Sequence, residues 1–210
     1  AILNHTNTIS HMRPGELAIL EPNSITFRDN HGNSIEKEKT IVANDPISMA
    51  KGDYRHFMLK EICEQPDAII ASLMGRLSSD KGLFNLDDFN LSIEEIKNIS
   101  KIILTGMGTS LHAAMLARLW MERIAGIPAE WDNSSEFRYR EPILEKDSLF
   151  ISVSQSGETA DTLAAMEEAR RKNITQITLC NYLNTQASQI ANQTLQIRAG
   201  LEVGVAATKT

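Results

Sequence analysis

The sequence lacks the cysteine pairs and the long apolar runs that are typical of several classes of protein. Its 210 residues include only two cysteines, Cys63 and Cys180, and neither belongs to a Cys-x-x-Cys pair. A disulfide scaffold or a zinc cluster is therefore not expected, and both thiols are predicted to lie in the core. Apolar runs are far shorter than the ~20 residues that cross a membrane, and the first residues do not resemble a secretory leader. A cytoplasmic location is expected.

Excess positive charge is also lacking. The formal net charge is -6 at pH 7, and no basic run is longer than Arg170-Arg171-Lys172, so binding to nucleic acid or to anionic membranes is not predicted. Any bound anion should be small and held locally. With 42% hydrophobic residues, the chain can bury a core as one large domain or two smaller ones. Because it begins at Ala1 and stops at Thr210 in a stretch typical of a helix start, we expect it to be part of a longer protein.

Short alternating apolar runs occupy residues 9–43, separated by the turn-forming sequences EPNS and DNHGNS. They predict antiparallel strands at LAIL, SITFRD and IEKEKTIV. Two or three strands do not fold alone, so this part is expected to end a domain whose front is missing. Residues 44–53 break any period and predict a linker.

Residues 54–77 carry apolar side chains at helical spacing, and Pro66 interrupts them, which predicts two helices with a break or kink between them. His56 and Cys63 within this stretch are interpreted as interface or packing groups rather than as ligands. A third, short helix is predicted after a polar loop, where Ser92 and Glu95 have the spacing of a capping box.

From Lys101 onward, apolar runs alternate with amphipathic segments. This alternation predicts a parallel sheet with helices on both faces. The predicted strands are KIILTG, AEW, DSLFISVS, ITQITLC and QTLQIRA. Sheets of this kind bind ligands at the carboxyl ends of their strands.

Two loops at those ends have the composition of an anion site. GMGTS (106–110) and SVSQSGETADT (152–162) each place small residues and hydroxyls at a predicted helix amino terminus. Unpaired N–H groups and the helix dipole attract anions there. No lysine follows the glycine as in a P-loop, and GMGTS lacks the GxGxxG spacing, so a phosphate monoester is favoured over a nucleotide.

In the second loop, Ser154, Ser156 and Thr159 offer hydroxyl donors, Gln155 adds an amide, and Gly157 allows a close backbone approach. Ser154 or Ser156 could instead simply cap the following helix. A nucleophilic role for Ser156 is disfavoured, because SQSGE is not GxSxG and no histidine or aspartate partner is evident.

Two further segments are candidates for the site. SSEFRYR (134–140) is interpreted first as a solvated turn and second as part of the site. GLEVGVAATK (200–209) follows the last strand, and its small residues could approach a ligand by their backbone. Lys209 would either contact a substrate or serve only as a capping residue.

GTS, SEFRYR, SQSGETADT and GVAATK, in this order and spacing, closely resemble the first sugar isomerase (SIS) domain of the glutamine:fructose-6-phosphate amidotransferase family. KGDYRHFMLKEICEQP resembles that family's linker and first helices. The resemblance covers nearly the whole chain. It implies an α/β fold, with a SIS-type parallel sheet flanked by helices after a short antiparallel β segment. Residues 1–43 would be the last strands of a truncated glutaminase domain, 44–53 the linker and 54–210 the first SIS domain, truncated at its C-terminal end.

The resemblance also implies roles for seven residues. The phosphate of fructose 6-phosphate, or of its product glucosamine 6-phosphate, would be held by Ser110, Ser154, Gln155, Ser156 and Thr159. Thr109 and the backbone near Val205 would face the sugar. Met107 stands where the family often has cysteine, and Ala207 where it often has serine, so the sugar-facing wall differs. No metal or organic cofactor is implied.

By the same resemblance, the cysteine that releases ammonia from glutamine would lie before Ala1. The isomerase glutamate, histidine and Schiff-base lysine would lie after Thr210. The chain is thus expected to bind sugar phosphate without catalysis, to meet glutamine only through the missing domain, and to form a homodimer. Two alternatives are a separate SIS isomerase, which would not need residues 1–53, and a sugar-phosphate-sensing regulator, which should carry a basic helix-turn-helix.

Overall fold

The computed structural model describes residues 6–41, 51–78, 83–84, 89 and 91–210. The chain divides into two compact units, Ala1–Ala50 and Lys51–Thr210. Most of the predicted linker, residues 44–50, lies outside the described residues.

The described residues of the first unit form short antiparallel strands joined by turns and loops. The strands are β1 (Thr8–Ile9), β2 (Leu17–Glu21), β3 (Ser24–Arg28), β4 (Ser34–Ile35) and β5 (Thr40–Ile41). β2, β3 and β4 form one sheet in that order, and β1 pairs with β5. The antiparallel prediction is confirmed, but IEKEKTIV forms β4 and β5 rather than one strand. The four charged residues between them supply no apolar face. Val42 lies outside the described residues.

The second unit opens with two helices, α1 (Phe57–Cys63) and α2 (Gln65–Leu73). Pro66 lies in the first turn of α2, where its missing N–H group costs nothing, so the predicted break is confirmed at Glu64. Two short strands, β6 (Leu77–Ser78) and β7 (Leu83–Phe84), pair next. In α3 (Ile93–Lys97) both hydrogen bonds of the predicted capping box are present, one from the Glu95 N–H to Ser92 Oγ and one from the Ser92 N–H to the Glu95 carboxylate.

A five-stranded parallel sheet organises the rest of this unit. Its strands are β8 (Lys101–Gly106), β9 (Ala129–Asn133), β10 (Ser148–Ser154), β11 (Thr175–Cys180) and β12 (Gln193–Gln196), in the order β12-β11-β10-β8-β9. The helices between them are α4 (Gly108–Trp120), continued by a π-helical turn (Met121–Ala125), α5 (Ser134–Phe137), α6 (Ala160–Arg171) and α7 (Gln186–Ile190).

The core lies on both faces of this sheet, because successive side chains of a strand point to opposite sides. On β8, Ile102 and Leu104 pack with Ala114 of α4. Ile103, between them, packs on the other face with Phe150 and with Met166 of α6. Helices therefore cover both faces, and the predicted fold class is confirmed.

The cysteine prediction is half right. Cys180, at the end of β11, is buried, and burial raises the pKa of its thiol. Cys63 is exposed, so its assignment to the core is wrong. The deeply buried position of α1 is taken by Glu61, which is 2% exposed. Among the described residues, no helix has the length and apolar character needed to span a membrane.

Truncating a core side chain by one methyl group tests this packing. Ile103 is 0% exposed, whereas Ile124, in the π-helical turn, is 80% exposed. We expect Ile103→Val to lower the free energy of unfolding by roughly 0.5–1.5 kcal/mol through lost burial and packing. Urea denaturation measures it, with Ile124→Val as the matched control. Equal losses in both variants would contradict the assigned core.

Candidate functional site

The order of the strands creates a crevice at one edge of the sheet. The chain passes from β8 outward to β9 and then crosses to β10 on the other side of β8. The connections that leave β8 and β10 therefore run to opposite faces. In open parallel sheets such a switch point opens a crevice at the carboxyl ends of the strands, and ligands bind there.

A cavity of ≈ 490 Å³ lies at this position. It is lined by Met107, Gly108, Thr109, Ser110, His112, Gln155, Ser156, Thr159, Val205, Ala206 and Ala207. Six of the seven residues predicted to bind substrate are thus brought together from three distant segments. The lining also includes Met107 and Ala207, the two positions at which the sequence departs from the family pattern.

The seventh predicted residue, Ser154, lies beneath the loop rather than in the cavity lining. It is 3% exposed, and its Oγ accepts a hydrogen bond from the N–H group of Gly157 at 3.0 Å. This bond closes the turn that carries Gln155 and Ser156. Ser154 therefore shapes the loop, and its predicted contact with phosphate stays a prediction.

Gly157 is required for the path of this loop. Its φ of +68° is a conformation that L side chains rarely adopt, and a Cβ atom at this position would lie 2.7 Å from Thr185 Cβ. Its carbonyl oxygen accepts a hydrogen bond from the N–H group of Ala187 at 3.0 Å. The loop is thus packed directly against the start of α7, with no room for a side chain.

The cavity lies at the first turns of two long helices, α4 and α6. The N-cap residue of α6 is Thr159, not Ser154 or Ser156, and no side chain caps this helix. The Oγ of Ser156 instead accepts a hydrogen bond from the Glu158 N–H group at 3.1 Å. Met107 is the N-cap of α4, and it too makes no capping hydrogen bond. Both helix ends therefore keep first-turn N–H groups without a side-chain cap.

Charged groups are scarce in this cavity. Among the described residues that line it, none is Asp, Glu, Lys or Arg, and His112 supplies the single acid–base group. The positive ends of two helix dipoles therefore meet no carboxylate in the lining, a setting that favours an anion. His112 was not among the predicted site residues. Its position four residues after Gly108, and so one turn further along the same helix face, is the signal that could have found it.

A buried group of hydroxyls holds the surrounding elements together. Thr105 Oγ1, near the end of β8, lies 2.8 Å from Ser134 Oγ at the start of α5. Thr162 Oγ1, in the first turn of α6, donates to Ser134 Oγ at 3.3 Å. Each hydroxyl satisfies another where water is excluded. This network could not be predicted from the sequence, because its members are distant in the chain.

The interpretation of SSEFRYR as a solvated turn is wrong for its first half. Ser134 and Phe137 are 0% exposed, because α5 packs on α6 and Phe137 joins the core cluster. The second half is more exposed. Arg138 pairs with Asp161 at 2.8 Å, and Arg140 pairs with Asp132. Neither arginine is among the residues that line the cavity.

The third wall of the cavity comes from residues 205–207, which form no helix or strand. Lys209, just beyond them, pairs with Glu64 at 2.8 Å, and its side chain is 5% exposed. Burial opposes ionisation of Glu64, but the ammonium groups of Lys209 and Lys60 outweigh it and hold the pKa of Glu64 below its usual value. Lys209 therefore anchors this segment and is not part of the cavity lining.

Comparison with known proteins places the chain in a family. Residues 95–210, more than half of the chain, match the family model of the SIS domain. The chain belongs to the SIS domain family, as its sequence motifs predicted.

Individual relatives extend the likeness to the whole chain. It is 41% identical over 209 residues to the glutamine–fructose-6-phosphate aminotransferase (isomerizing) of Symbiobacterium thermophilum and 42% identical over 209 residues to that of Clostridium acetobutylicum. Each match covers 100% of this chain and 34% of the relative. The chain therefore spans about a third of the length of these curated relatives.

A solved structure agrees with the sequence comparison. The C-terminal domain of glucosamine-fructose-6-phosphate aminotransferase from Francisella tularensis matches with a TM-score of 0.68 and 36% identity. The match covers 76% of this chain and 44% of that chain. The predicted resemblance to this family is confirmed.

Two glycine substitutions test the packing of the second loop. Gly126 has a φ of +69° and open space around it, whereas Gly157 has nearly the same φ but faces Thr185. Gly126→Ala should cost about 1–2 kcal/mol of unfolding free energy, from backbone strain alone. Gly157→Ala should cost a further ~1–3 kcal/mol, because the new methyl group overpacks the site. Equal costs in urea denaturation would show that Thr185 does not confine the loop.

Proposed function

We propose that this chain binds the phosphate and sugar of fructose 6-phosphate or glucosamine 6-phosphate within an isomerizing amidotransferase like its relatives. One observation supports the proposal most directly. The hydroxyl-rich starts of α4 and α6 line one cavity at the switch point of the sheet, and its described lining contains no carboxylate. Neutral donors at helix amino termini are a common way to hold phosphate.

In the proposed pose, the phosphate lies among the side chains of Ser110, Ser156 and Thr159. Ser156 Oγ accepts a hydrogen bond from Glu158, which leaves its proton free to donate to a phosphate oxygen. The sugar extends toward Thr109 and the wall at Val205. Gln155 donates to the carbonyl oxygen of Glu202 at 3.4 Å, so its amide links the phosphate loop to that wall.

The chain supplies binding, in this proposal, and the reaction chemistry comes from groups outside these 210 residues. Ammonia released from glutamine would condense with the C2 carbonyl of the ring-opened keto sugar, and the carbonyl oxygen would leave as water. Transfer of a proton from C1 to C2 would then give the amino aldose. Residues 1–43 would close a glutaminase domain, and residues 54–210 would form the first SIS domain. A cytoplasmic location, a homodimer and a place in amino sugar biosynthesis belong to the same proposal.

The whole-chain match favours this function over a separate SIS isomerase. Such an isomerase would not need residues 1–53, yet the aligned region of the aminotransferase relatives includes them. A sugar-phosphate sensor with a helix-turn-helix is also less well supported, because the described part of the first unit consists of antiparallel strands.

Removing single hydroxyl donors tests the phosphate assignment. Ser156→Ala and Thr159→Val should each weaken binding of fructose 6-phosphate by roughly 1–3 kcal/mol, because a charged acceptor loses a partner. Calorimetric titration measures the affinity. Thr175→Val is the matched control, because Thr175 is exposed at the amino end of β11, at the opposite edge of the sheet. If the site variants kept full affinity but lost about 1 kcal/mol of stability, the hydroxyls would stabilise the loop instead.

An activity assay tests the division between binding and chemistry. The purified 210-residue chain should release no glutamate from glutamine and form no amino sugar from fructose 6-phosphate, since in this proposal the nucleophile and the acid–base groups belong to other parts of the amidotransferase. Enzymatic glutamate detection and mass spectrometry of the sugar give the result. Turnover that persists after removal of contaminating enzyme would contradict the proposal, and Glu136, His56 and Lys209 would be the first residues to substitute.

A further inference from the structure

A buried carboxylate from the start of the second unit holds the third wall of the cavity. Glu61, on α1, is 2% exposed. Its Oε1 accepts hydrogen bonds from the N–H groups of Val203 at 2.6 Å and Gly204 at 3.0 Å, and its Oε2 accepts from Gly204 at 3.2 Å. A buried carboxylate is tolerated only when such donors replace water. The two donor residues immediately precede Val205, the first residue of the third wall.

Gly204 is small because of this carboxylate. A Cβ atom at position 204 would lie 2.5 Å from Glu61 Oε2 and 3.5 Å from the Ala206 carbonyl oxygen. The sequence suggested that small residues here approach a ligand by their backbone. For Gly204, the close neighbour is the Glu61 side chain, and the missing side chain makes room for a carboxylate of the protein itself.

A second buried carboxylate holds the other end of the same segment. Glu202 is 6% exposed, and its Oε1 accepts hydrogen bonds from the N–H groups of Thr208 at 2.7 Å and Lys209 at 3.0 Å. Its Oε2 accepts from the hydroxyl of Thr210 at 2.6 Å. Residues 205–207 are therefore fixed on both sides by side-chain acceptors, although they belong to no helix or strand.

We propose that Glu61 is a positioning residue for the sugar-side wall of the cavity. It touches no ligand and acts through the N–H groups of Val203 and Gly204, which set where residues 205–207 lie. This inference rests on the proposed function for its ligand. Phosphate and sugar are then bound by different parts of the chain. The loops after β8 and β10 hold the phosphate, whereas the wall that contacts the sugar depends on α1.

Three variants separate these parts. Glu61→Gln keeps the size of the side chain but turns an amide NH₂ group toward the N–H group of Gly204. Gly204→Ala keeps the Glu61 side chain but adds a Cβ atom that would lie 2.5 Å from its Oε2, so the carboxylate must shift. Asp67→Asn is the control, because it removes one negative charge from an exposed position on the adjacent helix α2. The double variant Glu61→Gln/Gly204→Ala tests whether both changes break the same contact.

The probes are fructose 6-phosphate and inorganic phosphate, titrated into the 210-residue chain and followed by amide NMR. Glu61→Gln and Gly204→Ala should each weaken fructose 6-phosphate binding roughly tenfold, and inorganic phosphate binding by less than about twofold. The double variant should lose little more than either single one, because both remove one interaction. Asp67→Asn should leave both affinities unchanged. An equal loss of affinity for fructose 6-phosphate and for inorganic phosphate would overturn the proposal. So would a fold-loss of fructose 6-phosphate affinity in the double variant that is close to the product of the fold-losses in the two single variants.

Amide hydrogen exchange gives a readout that needs no ligand. In Glu61→Gln, the amides of Val203 and Gly204 should exchange at least about tenfold faster than in the parent chain, while amides of β8 and β10 keep their rates. If the parent chain bound neither probe, the proposed function would fail, and this exchange pattern would still decide the role of Glu61. Unchanged exchange at Val203 and Gly204 would overturn that role.

Discussion

The parallel pairing of β8 with β10 is the constraint on which the candidate site depends. Gly106 lies opposite Val153, so the two strands end at the same level and release their loops side by side. Because β9 lies on the far side of β8, the two connections diverge to opposite faces and leave a crevice between them. Two helix starts that are about 50 residues apart in sequence are thereby brought to one cavity. The other contacts around the cavity fix the positions of these two helix starts and of the third wall.

Two kinds of contact hold the elements around the cavity. Some are so close that only glycine fits, and others are hydrogen bonds between buried polar groups. A Cβ atom at Gly106 would lie 3.0 Å from the Leu111 nitrogen and 3.1 Å from the Val153 carbonyl oxygen, so the first turn of α4 packs directly on the end of β8. The hydroxyl group at Ser134 ties β8 to α6, and the carboxylate of Glu61 ties α1 to the third wall. Neutral donors and the positive ends of two helix dipoles thus surround a cavity whose described lining carries no carboxylate.

Much of this could be predicted from sequence because the signals are local. Alternating apolar runs located the strands, and a glycine-and-hydroxyl stretch after a strand located the loops. The missed features depend on residues far apart in the chain. Cys63 looked like a core residue by its type, but the buried position of α1 belongs to Glu61, whose partners lie more than 140 residues away. Glu61 would be expected on the surface from sequence alone, since only the folded chain brings N–H donors to it.

The property proposed for the cavity is recognition of a phosphate group attached to a sugar. The most direct measurement is a pair of amide NMR titrations of the 210-residue chain, one with fructose 6-phosphate and one with fructose. Saturable shifts at the start of α4 and around Ser156 to Thr159 are predicted for fructose 6-phosphate, with much weaker shifts for fructose. Equal binding of the two sugars, or fructose 6-phosphate shifts confined to other parts of the chain, would contradict the account.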